Sequence, residues 1–404
     1  MVRDLDAESV HDIAAEIRVA SSIHWILTGT IAASAALLML GEPDRPAARA
    51  ARAEITELIV LGDSLSDIGN AAAVADFLLG QPGFPTPTIG LCNPVERLLL
   101  DRDCDDLLYS RSRVTNGPVA VEHLAAHLGD DGFAPSLHTV PERSGAGANY
   151  AVAGATARGD GLKDFRYQLD ILLADRSGRL PEGSLVVVMI GGNDAIDALQ
   201  AEALPQVSEP ADSLPDSPDA NGADASSGEA DRVVADATLA IAEGVARLVD
   251  HGAGCIVVAN VPDLALLPAV RIAAAANGID ERAAEEVASS VTSVFNAELD
   301  ARLAEIEAAH PAGGAIVRFD FADVLSAARA DAATAGVNVT DACFDSEAYA
   351  RLDGTRRFHP DCAPRGDGLA PDFDSFFFWD EIHPTAIVHE RIGAALIEHV
   401  ALCE

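Results

Sequence analysis

Lysine is almost missing from this sequence: Lys163 is the only one in 404 residues. Positive charge of any kind is scarce, with 27 basic residues against 64 acidic ones and a formal net charge of −37. Such a chain lacks the basic footprint that a phosphate backbone requires, so nucleic acid is excluded as a partner, and anionic lipid surfaces repel it. The acidity therefore reads as a solubility feature. Zinc-ligand spacing is also lacking, because none of the six cysteines falls in a C-x-x-C pattern; neither a metal nor a cofactor is expected. There is no internal repeat, and no tract of alternating strands long enough for a C-terminal outer-membrane barrel.

What is present is a globular composition, 49% apolar, with ordinary glycine and proline. Residues 23–40, "IHWILTGTIAASAALLML", carry no fixed charge and are followed by the small-residue stretch "PAARA" ending at Ala50. Residues 1–53 are accordingly expected to be a leader, either a signal peptide or an N-terminal membrane anchor, and the protein to be exported to the periplasm or beyond. If the leader stays uncleaved, it is the only expected membrane contact. Cys92 with Cys104, and Cys343 with Cys362, bracket short Pro-, Gly- or Asp-rich segments and read as local disulfides of an oxidising compartment. Cys255, in "GCIVVANV", reads as an inert thiol on a buried strand, and Cys403 carries no signal.

From residue 54 onward, apolar runs alternate with amphipathic segments. The runs 57–62, 184–191, 255–261 and 315–321 predict strands buried on both faces; 67–79, 117–128, 232–251, 281–309, 321–335 and 384–401 predict helices. That alternation predicts a single domain over 54–404 of the α/β class, with three α/β/α layers and a mostly parallel central sheet. Residues 204–231 are rich in Pro, Ser, Asp and Ala and read as a disordered acidic insertion, a tolerated surface loop rather than a lid. Residues 80–113, with the Leu98–Leu100 cluster, are expected to contribute to a pocket wall.

Chemistry is first suggested by "ELIVLGDSLSDIGN" (57–70), where a strand stops at Gly-Asp-Ser. A serine on a tight strand-to-helix turn exposes its hydroxyl and aims its own N–H into the same space, which suits a nucleophile whose amide helps bind an oxyanion. The segment "FFFWDEIHPT" (376–385) supplies Asp380 and His383 three residues apart, so that the carboxylate can hold one imidazole nitrogen while the other faces Ser64. His359, in "RRFHPDC", competes for the role of base but has no Asp three residues before it. "GANYAVAGATA" (147–157) contributes Gly154, and "IGGND" contributes Asn193, as candidate oxyanion donors. The G-x-S-x-G elbow of the α/β-hydrolases is missing around Ser64.

Taken together, "GDSLSDIGN", "NYAVAGATA", "GGND" and "WDEIHPT", with "TNGPVAVEHLA" (115–125) and "NVPDLALLPA" (260–269), resemble the GDSL, or SGNH, serine hydrolases over roughly residues 54–402. The likeness is to the branch of secreted bacterial lipases, lysophospholipases and acyltransferases and of plant GDSL esterases. It implies a flavodoxin-like SGNH-hydrolase fold, Ser64 as nucleophile with His383 and Asp380 completing the triad, and an oxyanion hole of the Ser64 amide, Gly154 and Asn193. One departure is Ala153, where the family often has a first glycine. The implied activity is hydrolysis of acyl or lipid esters by a monomer through an acyl-enzyme, with acyl transfer as a side activity. A carbohydrate O-acetylesterase is the alternative on the same fold, and a non-catalytic surface protein that kept the fold is the alternative from another class.

Overall fold

The computed structural model describes residues 55–73, 113–138, 147–203, 222–311, 313–345, 359–362 and 373–403, all within one compact unit, Ala51–Glu404. The expected leader, Cys92 and Cys104, the wall segment 80–112 and the first part of the expected insertion, 204–221, lie outside the described residues. Among the described residues, no helix is long and apolar enough to cross a membrane.

Four parallel strands form the central sheet in the order β1 (Glu57–Gly62), β2 (Ser184–Met189), β3 (Cys255–Ala259) and β4 (Ala315–Phe319). Register is set by hydrophobic matching: Leu58 faces Leu185, Val186 faces Ile256, and Val257 faces Val317. Every residue of β2 and β3 is buried, which is why these strands are apolar runs rather than alternating ones. Strand β4, also expected to be buried on both faces, is not: only Val317 and Phe319 are buried, and Arg318 turns outward to pair with Asp300 and Glu307. Covering helices are α1 (Ala120–His127), α2 (Phe165–Asp175), α3 (Gly192–Ala203), α4 (Gly222–Asp250), α5 (Pro268–Asn277), α6 (Glu281–Ala309), α7 (Phe321–Thr334) and α8 (Ala386–Val400). α1 and α7 pack with α8; α2, α3 and α6 pack with α4, and α5 packs with α6. The result is the expected three-layer α/β/α arrangement.

The outer edge of β1 is taken by residues 148–152. The Tyr150 N–H donates to the Val60 carbonyl at 2.7 Å, and the Val60 N–H donates to the Ala148 carbonyl at 3.0 Å. The chain thus leaves β1 toward one side and returns as β2 on the other. That reversal makes the carboxyl end of β1 a topological switch point, where open α/β sheets form their binding crevices.

Several features differ from expectation. Cys255 is not an inert thiol: it is joined to Cys403, closing 148 residues and fastening the segment after α8 to β3. A buried strand cysteine reads as core filler because its distant partner leaves no local spacing signal. The expected Cys343–Cys362 disulfide is present. Residues 222–231, expected to be disordered, form the first turns of α4. Helices α2, α3 and α5, and a two-stranded parallel sheet of β5 (Asn338–Ala342) and β6 (Phe376–Phe378), were not anticipated. Strand β6 is only three residues long, below what period-2 patterning can reveal.

Candidate active site

β1 ends at Gly62, where the backbone passes so close to β2 that a Cβ would stand 2.5 Å from the Met189 carbonyl oxygen. The Gln168 side chain accepts from the Gly62 N–H at 2.9 Å and donates to its carbonyl at 2.8 Å, holding the strand end. The Asp63 carboxylate is buried and accepts from the Leu65 N–H at 3.1 Å. Burial pushes Asp63 up to about 7, against the Leu65 N–H and the charge of His383. No hydrogen bond joins Asp63 to His383 among the described residues, so Asp63 shapes the turn rather than the imidazole. Asp67 accepts from the N–H groups of Gly69 and Asn70 at 2.7 Å each, Ala71 at 3.0 Å and Ala153 at 2.8 Å. Burial raises its pKa in spite of these four donors.

Asp380 and His383 hang from the small sheet. Pairing of β5 with β6 runs on past the strands, with the Cys343 N–H on the Phe378 carbonyl at 3.0 Å and the Phe344 N–H on the Trp379 carbonyl at 2.8 Å. Cys343, Cys362, Phe344, Phe376 and Trp379 form a separate buried cluster beneath this pairing. From the other side, the Asn116 Oδ1 accepts from the Ala386 N–H at 2.8 Å and the Thr115 hydroxyl donates to the Pro384 carbonyl at 2.8 Å, pinning the start of α8. Between these anchors the His383 Nδ1–H donates to Asp380 at 2.8 and 2.9 Å, and His383 Nε2 accepts from the Ser64 hydroxyl at 2.8 Å. The Asp380 Oδ1 also accepts from the N–H groups of Ile382 at 2.9 Å and His383 at 2.7 Å. Burial works to raise the Asp380 pKa, but the His383 charge and these donors outweigh it and hold the carboxyl low. For His383 burial favours the neutral ring, yet the Asp380 charge and hydrogen bond leave its pKa raised.

The Asn193 Nδ2 donates to the Ala155 carbonyl at 2.8 Å, which leaves its second N–H directed elsewhere, and the side chain lines the same cleft as Ser64. Gly154 adopts φ +75°, a left-handed conformation that glycine takes without strain. Its loop is braced at both ends, by Asp67 at Ala153 and by the buried Asp194, which accepts from the Ala157 N–H at 2.7 Å and the Arg158 N–H at 3.3 Å. Burial pushes Asp194 up to about 6, opposed by those two N–H groups and the Arg158 charge. Around this brace, the N–H groups of Asp63, Leu65, Ser66, Ala153 and Ala155 are all bonded within the protein. Among the described residues, the N–H groups of Ser64 and Gly154 have no such acceptor.

A cleft of about 650 Å³, including its open mouth, runs from Ser64 and His383 over the ends of β2, β3 and β4. Its walls are mainly apolar: Met189, Ile190, Ile196, Val261, Leu264, Leu267, Phe321, Leu325 and Ile382. His359 lies elsewhere, its ring 5.1 Å from that of Phe376 and its nitrogens near Asp341 and Asp361. Among the described residues, no group of three or more His, Cys, Asp or Glu side chains is placed to hold a metal ion. Sequence reasoning passed over Gln168, Asp67, Asp194 and the anchors Thr115 and Asn116. Asp67, Asp194, Thr115 and Asn116 lie within the motif blocks, whereas Gln168 lies outside all of them.

A serine hydroxyl, an imidazole and a buried carboxylate in line at the carboxyl end of a parallel strand, beside free N–H groups, is the arrangement on which serine hydrolases are built. The family model of the GDSL-like lipases and acylhydrolases matches residues 58–396, and the chain belongs to that family. It is thus a hydrolase acting on esters. A search of the curated proteins finds none that matches it.

Proposed function

We propose that the chain is a serine carboxylic-ester hydrolase for acyl esters whose acyl chain is longer than acetyl. The apolar cleft leading from Ser64 carries this reading. A carbohydrate O-acetylesterase needs polar groups to hold a sugar, and beyond the residues around Ser64 the described wall offers Asn260 among side chains that are otherwise aliphatic or aromatic. In the proposed reaction His383 takes the Ser64 proton as the oxygen attacks the ester carbonyl. The tetrahedral oxyanion is held by the N–H groups of Ser64 and Gly154 and by Asn193 Nδ2, the alcohol leaves with the proton from His383, and water deacylates the serine through the same base. The two unbonded amides beside the nucleophile support the oxyanion assignment. Two disulfides support export to an oxidising compartment.

Burying each added methylene contributes about 0.8 kcal/mol. Lengthening a 4-nitrophenyl ester from acetyl to butanoyl is therefore expected to raise kcat/KM by about tenfold. Preference for acetate, together with release of acetate from an acetylated sugar, would overturn this reading in favour of the O-acetylesterase. Replacing Asn193 with alanine is expected to lower kcat about 10²–10³-fold on the butanoyl ester, the cost of one oxyanion donor. A kcat within a few-fold of wild type would remove Asn193 from the oxyanion site.

A further inference from the structure

Lys163, the chain's only lysine, stands beside the oxyanion loop. A Cβ built on Gly154 would lie 3.3 Å from the Lys163 Nζ. The ammonium is therefore within about 6 Å of the Gly154 nitrogen by covalent geometry. The side chain is exposed, and among the described residues no carboxylate pairs with it. Its acidic neighbours do not neutralise it. Asp164 spends its carboxylate on the Thr156 N–H and hydroxyl and on the Gly161 N–H, and Asp160 forms no ion pair with it. The nearby Arg158 guanidinium, by contrast, is held by Asp194 and Asp197.

Position gives this cation a direction. The apolar cleft extends from Ser64 over β2, β3 and β4, whereas residues 148–152 and the Gly154 loop leave from the opposite edge of β1. Lys163 is not part of the cleft wall. For an ester with its acyl chain in the cleft, the alcohol lies outside the cleft with its oxygen in reach of His383, and a substituent extending from it past the Gly154 loop can meet the ammonium. On a surface whose net charge of −37 repels anions, an uncompensated cation beside the reacting carbonyl favours one kind of alcohol.

We infer that Lys163 is a specificity-determining residue that recognises an anionic group, a carboxylate or phosphate, on the leaving alcohol of the ester. The inference rests on the ester-hydrolase reading above and adds the class of alcohol to it. An exposed ion pair is modest and screened by salt, so the effect is expected to be a few-fold and to fade as ionic strength rises.

The test compares two esters that differ only in that charge, 2-nitrophenyl butanoate and 3-butanoyloxy-4-nitrobenzoate, through the ratio of their kcat/KM values. Lys163→Met is expected to lower the anionic-to-neutral ratio roughly two- to fivefold at low ionic strength, and Lys163→Arg to restore it. In wild type, the ratio is expected to fall toward the Lys163→Met value as salt is added. An unchanged ratio in Lys163→Met overturns the inference while leaving the ester-hydrolase reading intact. A parallel fall on both esters overturns it too, because Lys163 would then act on the oxyanion common to both. If wild type hydrolyses neither ester, the ester-hydrolase reading falls, and this inference with it.

Discussion

Ser64→Ala is expected to lower kcat about 10⁶-fold on any ester the protein hydrolyses, the loss seen when a triad nucleophile is removed. The substitution deletes one oxygen atom at a turn whose shape is held by other groups, Gly62 with Gln168 and Asp67 with four N–H donors. The fold and the cleft are therefore expected to survive, and KM to change little. Residual turnover is expected to exceed the uncatalysed rate, because the oxyanion donors remain. Single-turnover kinetics with a 4-nitrophenyl ester, together with fluorophosphonate labelling mapped to Ser64 in wild type, provides the check. Turnover near the wild-type rate in the folded variant would sink the nucleophile assignment.

Asp380→Asn is expected to cost about 10⁴-fold in kcat. An asparagine at this position keeps an oxygen that can accept from the Ile382 and His383 N–H groups, so the loop is expected to keep its shape. What changes is the proton: an amide NH₂ facing His383 Nδ1 makes that nitrogen an acceptor and places the ring hydrogen on Nε2, against the Ser64 hydroxyl. The base is then in the wrong tautomer. Charge is lost as well, and Asp380 is the main influence holding the His383 pKa up against burial. The proposed mechanism needs neutral His383, so wild-type activity is expected to fall as pH drops through that raised pKa. In Asp380→Asn the acid limb of the kcat/KM profile moves to lower pH, and the plateau drops. A variant whose plateau falls while its acid limb stays in place would assign the limb to another group, of which Asp63, pushed up to about 7 by burial, is the nearest.

How far all this could be read from the chain depends on the range of the forces involved. The central strands were legible because they are apolar runs interrupted only by Glu57 and Ser184 at their starts and Arg318 in β4, a signature contained in the strand itself. Asp380 and His383 are three residues apart, so their contact is local too. The approach of His383 to Ser64 is different: no pattern of periodicity encodes it, and only the joint resemblance of the motif blocks pointed to it. Least legible were contacts made by ordinary residues at a distance. Gln168 on Gly62, Asn116 on Ala386 and Cys255 on Cys403 have nothing in their neighbourhoods that names a partner. The helical start of α4 was hidden by composition, since its Gly, Ser and Asp residues mark loops as readily as the start of a helix.

Ser64 and His383, the proposed nucleophile and base, are 319 residues apart in sequence. The parallel sheet between them pairs strands that only long crossovers can connect, so many native contacts join distant parts of the chain and folding is expected to be slow. Synthesis runs from Ser64 toward His383, so a growing chain displays Ser64 and its loop long before this imidazole can reach the hydroxyl. On the proposed mechanism the hydrolase is thereby kept silent until His383 has been made, without an inhibitor, and the first cleaved ester reports that the two ends of the domain have met.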